Sequence, residues 1–344
     1  MRRPAGARAV AVLAMVAGAA GGCGRDARRE VAPEAVVLST PAGPSAPPPR
    51  AAPAAAAAGE AGPACGLPTE PWRFPAAPRV IAIGDVHGDR GAVDAVLRGA
   101  GVIDASGAWI GGTTWVVQTG DVLDRGDDEQ AIVDEFERLE RGAAAAGGRF
   151  VWLLGNHELM NAAGDLRYVT PGGFRDFEDV PGLPLDRFAD VPAMARARVA
   201  ALAPGGPYAR IMAGQLLAIV VGDTAFVHGG IRPGQTASLP ADQARAQCWL
   251  AGSGPAPAAL SDDQGPVWDR SYALEPADCA ALDRALAELG VARMVVGHTV
   301  QPSGISQACD GKIWRIDVGL AKHYGGPHQA LELTAAGPKI LTMP

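Results

Sequence analysis

The stretch "RFVWLLGNHELM" (residues 149–160) changes its character halfway along its length. One arginine precedes five apolar residues, and this run predicts a buried β-strand. A glycine, a carboxamide, an imidazole and a carboxylate then follow as "GNHE" (155–158). Such polar groups are costly to bury unless water, a hydrogen-bond network or a metal ion satisfies them. The end of this strand is therefore a candidate functional site.

The same pattern recurs along the chain, in apolar runs that end in aspartate or histidine near glycine. It occurs in "RVIAIGDVHG" (79–88), "TTWVVQTGDVLDRG" (113–126), "LLAIVVGDTAFVHGG" (216–230) and "ARMVVGHTV" (292–300). The third of these runs predicts two strands joined by a turn. Two later stretches, "KIWRIDVGL" (312–320) and "QALELTAAG" (329–337), predict closing strands.

Helical patterns lie between several of these strands. Two examples are "DEQAIVDEFERLERGAAAA" (128–146) and "PADCAALDRALAELG" (276–290). Alternating strands and helices predict an α/β layered fold, in which functional sites gather at the carboxyl ends of the strands.

Five strand ends supply six oxygen and nitrogen donors, which are Asp85, His87, Asp121, Asn156, His228 and His298. Donors of this kind, without thiolates, suit Mn, Fe, Zn or a similar divalent ion. Six donors are too many for one structural zinc, which four ligands normally close. They suit two ions about 3.5–4 Å apart that share a carboxylate and hold a phosphoryl group and a hydroxide together.

A single histidine at a strand end is more often a hydrogen-bonded structural residue than a metal ligand. The chain has six histidines, however, and four of them stand at the ends of apolar strands, which favours a shared site. His323 and His328 lack this setting, and we expect them at the surface or at the rim of the site.

Five motifs, in this order, resemble those of calcineurin-like metallophosphoesterases of the phosphoprotein phosphatase type: "GDVHG", "GDVLDRG", "GNHE", "HGG" and "GHT". Three further stretches, "MNAAGDLRYVT", "GPVWDRSYA" and "IDVGLAKHYGG", resemble the bacterial Shewanella-like phosphatase branch. The resemblance implies a layered fold in residues 79–344, with a central β-sandwich flanked by helices.

The resemblance also implies two divalent metal ions of Mn, Fe or Zn and a hydroxide that attacks phosphorus directly. Asp85 and His87 would bind the first ion, and Asp121 would bridge both. The second ion would be completed by Asn156, His228 and His298.

By the same resemblance, His157 would be the general acid on the leaving oxygen, oriented by Asp124. A carboxylate raises the pKa of an imidazole and holds its ring in place. Arg125 would bind phosphate oxygens, because its planar guanidinium matches their geometry. Arg270 would be a second phosphate-binding arginine, and Tyr324 would line the rim.

Two assignments stay open at this point. Glu158 either orients a metal ligand or forms a salt bridge with a neighbour. Residues 160–210 have no equivalent in the short eukaryotic cores, and we expect a cap over the pocket that sets substrate choice. Within this segment, Arg167 and Tyr168 either reach the substrate or hold the cap down.

The N-terminal residues predict export. Arginines precede the apolar stretch "AVAVLAMVAGAAGG" (9–22), which is short for a membrane span. "AGGC" resembles a lipoprotein box, although Ala20 stands where leucine is usual, and this favours a lipidated Cys23 over an ordinary secretory signal. After this leader (1–23), an Ala/Pro-rich tether (24–78) would join a periplasmic or envelope-bound body to its anchor.

Four further cysteines are Cys65, Cys248, Cys279 and Cys309. They contain no C-x-x-C pair, which disfavours a thiolate zinc site. An even number in an exported chain permits two disulfides, whose pairing the sequence does not give, and buried thiols are the alternative.

The net charge of the chain is -7, and its body has no Lys/Arg cluster, which argues against a nucleic-acid partner. Membrane contact is expected only through the lipid anchor. The favoured function is a metal-dependent phosphomonoesterase acting on phosphoprotein or phosphopeptide esters, with phosphotyrosine among them. The alternatives are a dinucleoside polyphosphate hydrolase, which shares the ligand set, and a non-catalytic binding module, which would need no general acid.

Overall fold

The computed structural model describes residues 65–67, 71–258 and 261–344. The predicted leader and most of the predicted tether (24–78) therefore lie outside the described residues, whereas residues 65–67 and 71–78 of the tether are described and include a short β-strand at Arg73–Phe74. None of the helices in these ranges has both the length and the apolar character that a bilayer span requires.

The helices of the described ranges are α1 (Arg90–Gly99), α2 (Glu129–Ala145), α3 (Asn156–Ala162), α4 (Ala193–Leu202), α5 (Pro207–Met212), α6 (Leu239–Leu250) and α7 (Cys279–Leu289). The strands are β1 (Arg73–Phe74), β2 (Arg79–Ile83), β3 (Trp115–Gln118), β4 (Arg149–Trp152), β5 (Ala218–Val221), β6 (Thr224–Val227), β7 (Arg293–Val296), β8 (Ser306–Ala308), β9 (Ile313–Arg315), β10 (Gln329–Thr334) and β11 (Gly337–Thr342).

One sheet places three of the predicted strands side by side. Its order is β11-β10-β2-β3-β4, and β2, β3 and β4 run parallel to one another. The hairpin of β10 and β11 continues the sheet antiparallel to β2. Because β2, β3 and β4 are parallel neighbours, the segments that follow them leave the same edge of the sheet.

The second sheet has the order β1-β5-β6-β7-β9-β8. The stretch 216–230 forms the antiparallel pair β5 and β6, as predicted. Strands β6 and β7 are parallel, so the segments after them also leave one edge together. With two mixed sheets and intervening helices, the predicted α/β layered fold is confirmed.

A continuous apolar core lies against both sheets. It includes Ile81 of β2 and Phe226 of β6, both fully buried. Helix α2 packs onto β4, where the ring of Phe136 lies 4.8 Å from that of Phe150. Full burial of such side chains stabilises the fold by about 1.5–3 kcal/mol each, which makes the sheets a firm base for the loops at their edges.

Two disulfides settle the pairing that the sequence left open. Cys65 is bonded to Cys248 on α6, with a Cα–Cα distance of 5.5 Å. Cys279, the first residue of α7, is bonded to Cys309, with a Cα–Cα distance of 5.4 Å. Both pairs join parts of the chain that are distant in sequence.

Residues 160–210 are folded against the rest of the chain. They contain the end of α3, a 3₁₀ turn at Leu185–Phe188, helix α4 and most of α5. Phe177 is fully buried, and its ring lies 5.1 Å from that of Tyr208. The hydroxyl of Tyr208 donates to Asp134 on α2, which ties this segment to the sheet-covering helix.

Candidate metal centre

The donor-bearing ends of the five strands meet at one place. His298, after β7, donates its backbone N–H to both carboxylate oxygens of Asp85, after β2, at 3.1 Å. His228, after β6, donates Nδ1–H to the backbone oxygen of Thr119, after β3, at 2.9 Å. These hydrogen bonds join the loops of the two sheets.

Asp121 lies at the centre of the resulting cluster. Its Oδ2 is 3.3 Å from Nε2 of His228, 3.8 Å from Nε2 of His87 and 3.8 Å from Nε2 of His157. All four side chains are buried. One carboxylate oxygen that faces three imidazole nitrogens has the geometry of a bridging ligand.

The remaining predicted donors surround His228. Its Nε2 lies 2.9 Å from Oδ1 of Asn156 and 3.1 Å from Nδ1 of His298. Its Nδ1 lies 3.9 Å from Oδ1 of Asp85. The structure therefore brings all six predicted donors into one buried cluster.

Two sets of three donor atoms in this cluster lie within 4.8 Å of one another, namely those of His87, Asp121 and His157 and those of Asp121, His228 and His298. Asp121 belongs to both sets, as a carboxylate shared by two ions would. Carboxylate, amide and imidazole donors without thiolate suit Mn, Fe or Zn. The donor set therefore fits two divalent ions.

The pKa shifts of the carboxylates and imidazoles in the cluster also suit the binding of cations. Burial raises the pKa of Asp85 well above its usual value, and the charges of Asp317 and Asp121 raise it further. Burial and the neighbouring His157 lower the pKa of His87 to about 4, so its ring is neutral at pH 7. Cations would compensate the buried carboxylates and accept the lone pairs of neutral imidazoles.

Backbone oxygens fix the orientation of two of the imidazole rings. His87 donates Nδ1–H to the oxygen of Leu123, and His228 donates Nδ1–H to that of Thr119, both at 2.9 Å. The Nε2 lone pair of each ring is then available on the side of Asp121. Hydrogen bonds of this kind typically orient metal-binding histidines.

Two glycines in the motifs are explained by the close approach of backbone to carboxylate. A Cβ atom on Gly155 would overlap Oδ1 of Asp121, and one on Gly297 would overlap Oδ1 of Asp85. Any larger residue at these positions would displace a candidate ligand.

Several non-glycine residues of the site have a left-handed backbone with φ between 42° and 70°, namely His87, Asp121, Asp124, Arg125 and His298. Such conformations cost about 1–3 kcal/mol each and persist only where the surroundings enforce them. Here the N–H groups of Val86 and His87 both donate to the backbone oxygen of Asp121, which locks two of the loops together.

The open question about Glu158 is answered by its hydrogen bonds. Its Oε2 accepts from the backbone N–H groups of Asp121 (2.9 Å) and Gly155 (2.7 Å). Its Oε1 accepts from those of Val122 (2.8 Å) and Leu123 (3.1 Å). Glu158 therefore orients the loop that carries the central aspartate.

His157 and Asp124 form a buried pair beside the cluster. Nδ1 of His157 lies 2.6 Å from Oδ2 of Asp124. Burial alone would lower the pKa of His157, but the charge of Asp121 and the hydrogen bond and charge of Asp124 outweigh it and raise the pKa to about 9. The imidazole is thus protonated, and its Nε2 faces the cluster.

Arg125 is held at the site by Tyr168. Its backbone N–H donates to the oxygen of Tyr168 at 3.2 Å, and its guanidinium lies 4.1 Å from the centroid of the Tyr168 ring. Its Nε is buried without a hydrogen-bond partner. A stacked cation with an unpaired donor suits the binding of an oxyanion.

Arg270 and Tyr324 lie at the rim. The Nη1 of Arg270 donates to the backbone oxygen of His298 at 2.8 Å and to Oγ1 of Thr299 at 3.0 Å. The ring of Tyr324 lies 5.5 Å from that of His87, and 38% of this residue is exposed. The exposed His323 lies outside the donor cluster, and its ring meets that of Tyr324 edge-on, with the ring centroids 4.7 Å apart.

The two residues left open in the 160–210 segment have different environments. The ring of Tyr168 lies 5.1 Å from that of His157, so it contacts the acid candidate as well as Arg125. Arg167 instead forms a surface ion pair, in which its Nε donates to Oδ1 of Asp165 at 2.9 Å.

The sequence did not indicate the residues that hydrogen-bond to Asp124 on the side away from His157. Asn161 donates Nδ2–H to Oδ1 of Asp124 at 3.0 Å, and Arg198 donates Nη2–H to the same oxygen at 3.2 Å. Glu129 accepts the backbone N–H of Asp124. Asn161 follows His157 by one helical turn, a spacing that could have identified it. Arg198 is 74 residues from Asp124 and carries no local signal.

Comparisons with known proteins identify a family and several relatives. Residues 78–302 match the model of the calcineurin-like phosphoesterase family. The chain is 39% identical to Shewanella-like protein phosphatase 2 of Arabidopsis thaliana over 308 residues, which cover 78% of this chain and 79% of the relative. It is 28% identical to Shewanella-like protein phosphatase 1 of Plasmodium berghei, covering 73% of this chain and 70% of the relative.

A solved structure is similar in fold as well. The cold-active protein-tyrosine phosphatase of a psychrophilic Shewanella species aligns with a TM-score of 0.64 and 25% sequence identity. The alignment covers 79% of this chain and 83% of that one.

Proposed function

The chain belongs to the calcineurin-like phosphoesterase family, and we propose that it is a dinuclear metallophosphatase that hydrolyses phosphate monoesters on proteins or peptides. The observation that supports this most is Asp121, whose Oδ2 faces Nε2 of His87 on one side and Nε2 of His228 on the other within the buried donor cluster. A binding module would need neither a shared ligand nor the protonated imidazole beside it.

The metal ligands of the proposal are those the sequence indicated. Asp85 and His87 would hold one ion, and Asp121 would bridge to a second, which is completed by Asn156, His228 and His298. The bound ions would polarise the phosphoryl oxygens and lower the pKa of the attacking water. The donor set is compatible with Mn, Fe or Zn.

Two arginines would bind the substrate phosphate. Arg125 has an unpaired Nε and is kept in place by Tyr168. Arg270 is fixed through Nη1 to the backbone of His298, which leaves its remaining N–H groups for the substrate. Planar guanidinium groups suit this task, because they bind two phosphate oxygens at once.

The proton for the leaving oxygen would come from Nε2 of His157. Its Nδ1–H donates to Asp124, which fixes the ring and favours the charged form. As the phosphorus–oxygen bond breaks, transfer of this proton neutralises the departing oxygen. Tyr168, packed against both His157 and Arg125, would keep solvent from this side of the pocket.

The substrate class rests on the comparisons together with the rim. The Arabidopsis and Plasmodium relatives are named protein phosphatases, and the Shewanella structure is named a protein-tyrosine phosphatase. Two aromatic rings, Tyr168 beside His157 and Tyr324 beside His87, offer apolar surface to an aryl ester. We include phosphotyrosine among the substrates for this reason.

The test is a substrate panel on the purified protein with manganese, comparing phosphotyrosine, phosphoserine and phosphothreonine peptides with diadenosine tetraphosphate. We expect phosphopeptide hydrolysis to exceed dinucleotide hydrolysis in kcat/KM. Faster cleavage of the dinucleotide would make the chain a dinucleoside polyphosphate hydrolase. Metal-loaded protein that left every ester intact would be a binding module.

Export remains part of the proposal. The two disulfides support it, because such bonds form and persist in oxidising compartments. Mass spectrometry of Cys23 in protein from a bacterial membrane fraction would distinguish a lipid anchor from a cleaved secretory signal.

A further inference from the structure

A fully buried arginine lies behind the aspartate of the acid pair. Arg198 is 0% exposed and belongs to α4, in the 160–210 segment. A buried guanidinium is costly unless its charge is paired and its five N–H groups all find acceptors. The hydrogen-bond acceptors of Arg198 therefore indicate which groups the side chain positions.

All five N–H groups of Arg198 have acceptors. Nη2 donates to Oδ1 of Asp124 at 3.2 Å and to Oε1 of Glu129 at 3.1 Å. Nη1 donates to Oε2 of Glu129 and, at 2.8 Å, to the backbone oxygen of Gly173. Nε donates to Oδ1 of Asn161 at 2.9 Å. The guanidinium thus joins two carboxylates, an amide and the 160–210 segment in one network.

Asp124 uses its two oxygens in opposite directions. Oδ2 faces Nδ1 of His157 at 2.6 Å, while Oδ1 accepts from Arg198 and from Asn161. Because a carboxylate is planar, fixing Oδ1 also fixes the direction of Oδ2. Arg198 and Asn161 therefore together hold the carboxylate whose other oxygen faces the imidazole.

We propose that Arg198 is a positioning residue for the general acid, and that the 160–210 segment supplies it. Arg198 does not touch the substrate; it acts by holding Asp124, which in turn orients His157. This inference rests on the proposed phosphatase function. It assigns to the segment a role in turnover that is separate from the predicted role of a cap.

Loss of Arg198 has a defined chemical consequence. Asp124 and Glu129 would remain as two buried carboxylates without the cation between them. Rotation or protonation of Asp124 relieves that repulsion, and either one weakens the acceptor at Nδ1 of His157. Proton donation to the leaving oxygen then becomes less effective.

A weakened general acid has a signature that lost stability or lost metal does not share. Nitrophenolate is a good leaving group and departs without a proton, whereas phenolate and the serine alkoxide are more basic and require one. Damage to the acid therefore slows phenyl phosphate and phosphoserine peptide more than p-nitrophenyl phosphate. Loss of metal or of folded protein slows all of them by the same factor.

The experiment compares Arg198→Met and Arg198→Lys with Arg196→Met, a matched change on the same helix. Arg196 bonds only to backbone oxygens of the segment, at Ala189 and Val191. Metal content and thermal unfolding are measured for each variant, together with kcat on phenyl phosphate and on p-nitrophenyl phosphate.

For Arg198→Met we expect kcat on phenyl phosphate to fall roughly tenfold to hundredfold, a part of the 10²–10⁴ that a general acid supplies, with a much smaller loss on p-nitrophenyl phosphate. Arg198→Lys, which keeps the charge without the planar fork, should lie between this variant and the wild type. Adding Arg198→Met to His157→Ala should cause little further loss, because both changes disable one unit.

Equal losses on the two esters, or a kcat like that of Arg196→Met, would overturn the proposal. If Arg198→Met does not fold, Arg198→Met with Glu129→Gln removes one buried positive and one buried negative charge, and this variant is judged by the same ratio. Failure of the wild type to hydrolyse any phosphate ester would instead reject the proposed function, so the two failures are distinguishable.

Discussion

His157 could act either as a general acid or as a metal ligand. Its Nδ1 faces Asp124, and its imidazole belongs to one of the two donor sets that could hold a metal ion. The His157→Ala variant separates these roles. We expect turnover to fall by about 10²–10⁴, the usual contribution of a general acid, with both metals retained. Elemental analysis beside steady-state kinetics provides the measurement, and loss of one metal would make His157 a ligand.

Asp121 is the residue whose removal should affect both ions together. In Asp121→Ala, the oxygen that faces His87, His157 and His228 disappears. We expect loss of bound metal and of all hydrolysis, as measured by elemental analysis after dialysis. Asp128→Ala, which alters an exposed aspartate in the same loop, is the control. Two metals bound to Asp121→Ala would remove the aspartate from the bridging position.

At the scale of residues, the sequence located the donors because each one closes an apolar strand. Parallel neighbouring strands carry such ends to one edge, so no distance information was needed. Arg198 could not be located in this way. Its contact with Asp124 spans 74 residues and depends on the side-chain direction of a helix whose sequence shows mainly alanine and arginine.

At the scale of elements, α3 shows how one side chain can organise a loop. The carboxylate of Glu158 accepts four backbone N–H groups, three of them from residues 121–123. In Glu158→Gln, an amide NH₂ replaces one of these acceptors and faces donors, which should cost about 1–3 kcal/mol of folding stability. We also expect weaker metal binding, because the backbone that carries Asp121 is no longer fixed.

Urea unfolding and metal titration measure these two effects of Glu158→Gln. Glu178→Gln, an exposed position in the 160–210 segment, is the matched control and should behave as the wild type. Unchanged stability together with unchanged metal affinity would show that the loop keeps its geometry without the carboxylate.

The elements that the sequence predicted share one property, an apolar pattern that is visible in the sequence, which is a continuous run in a strand and a helical spacing in a helix. The strands β2 to β7 have it, and so do α2 and α7. The edge strands β1 and β8 have only two and three residues, and their sequences, "RF" and "SQA", carry no pattern. Tertiary pairing with β5 and β9, rather than local propensity, makes them strands.

At the scale of the whole molecule, the Cys65–Cys248 bond joins residues separated by 183 positions. Removing it with Cys65→Ser and Cys248→Ser should lower the free energy of unfolding by about 2–4 kcal/mol, because the unfolded chain regains the freedom of a long loop. Guanidinium unfolding with and without reductant measures the effect, and a variant that also lacks the second disulfide should no longer respond to reductant.

An unchanged unfolding midpoint in the Cys65→Ser, Cys248→Ser variant would show that the contacts around α6 already hold this part of the chain. The pairing itself was outside the reach of the sequence. Four cysteines allow three connectivities, and only the packing of α6 and α7 decides among them.

The same bridge determines how the body would respond to a mechanical load. A pull on the chain ahead of Cys65 passes through the sulfur atoms into α6 instead of along the backbone into the two-residue strand β1. The weakest edge of the six-stranded sheet is thereby spared. Under reducing conditions the same pull would peel β1 from β5 first, and the difference in rupture force between the two states should be visible in single-molecule extension.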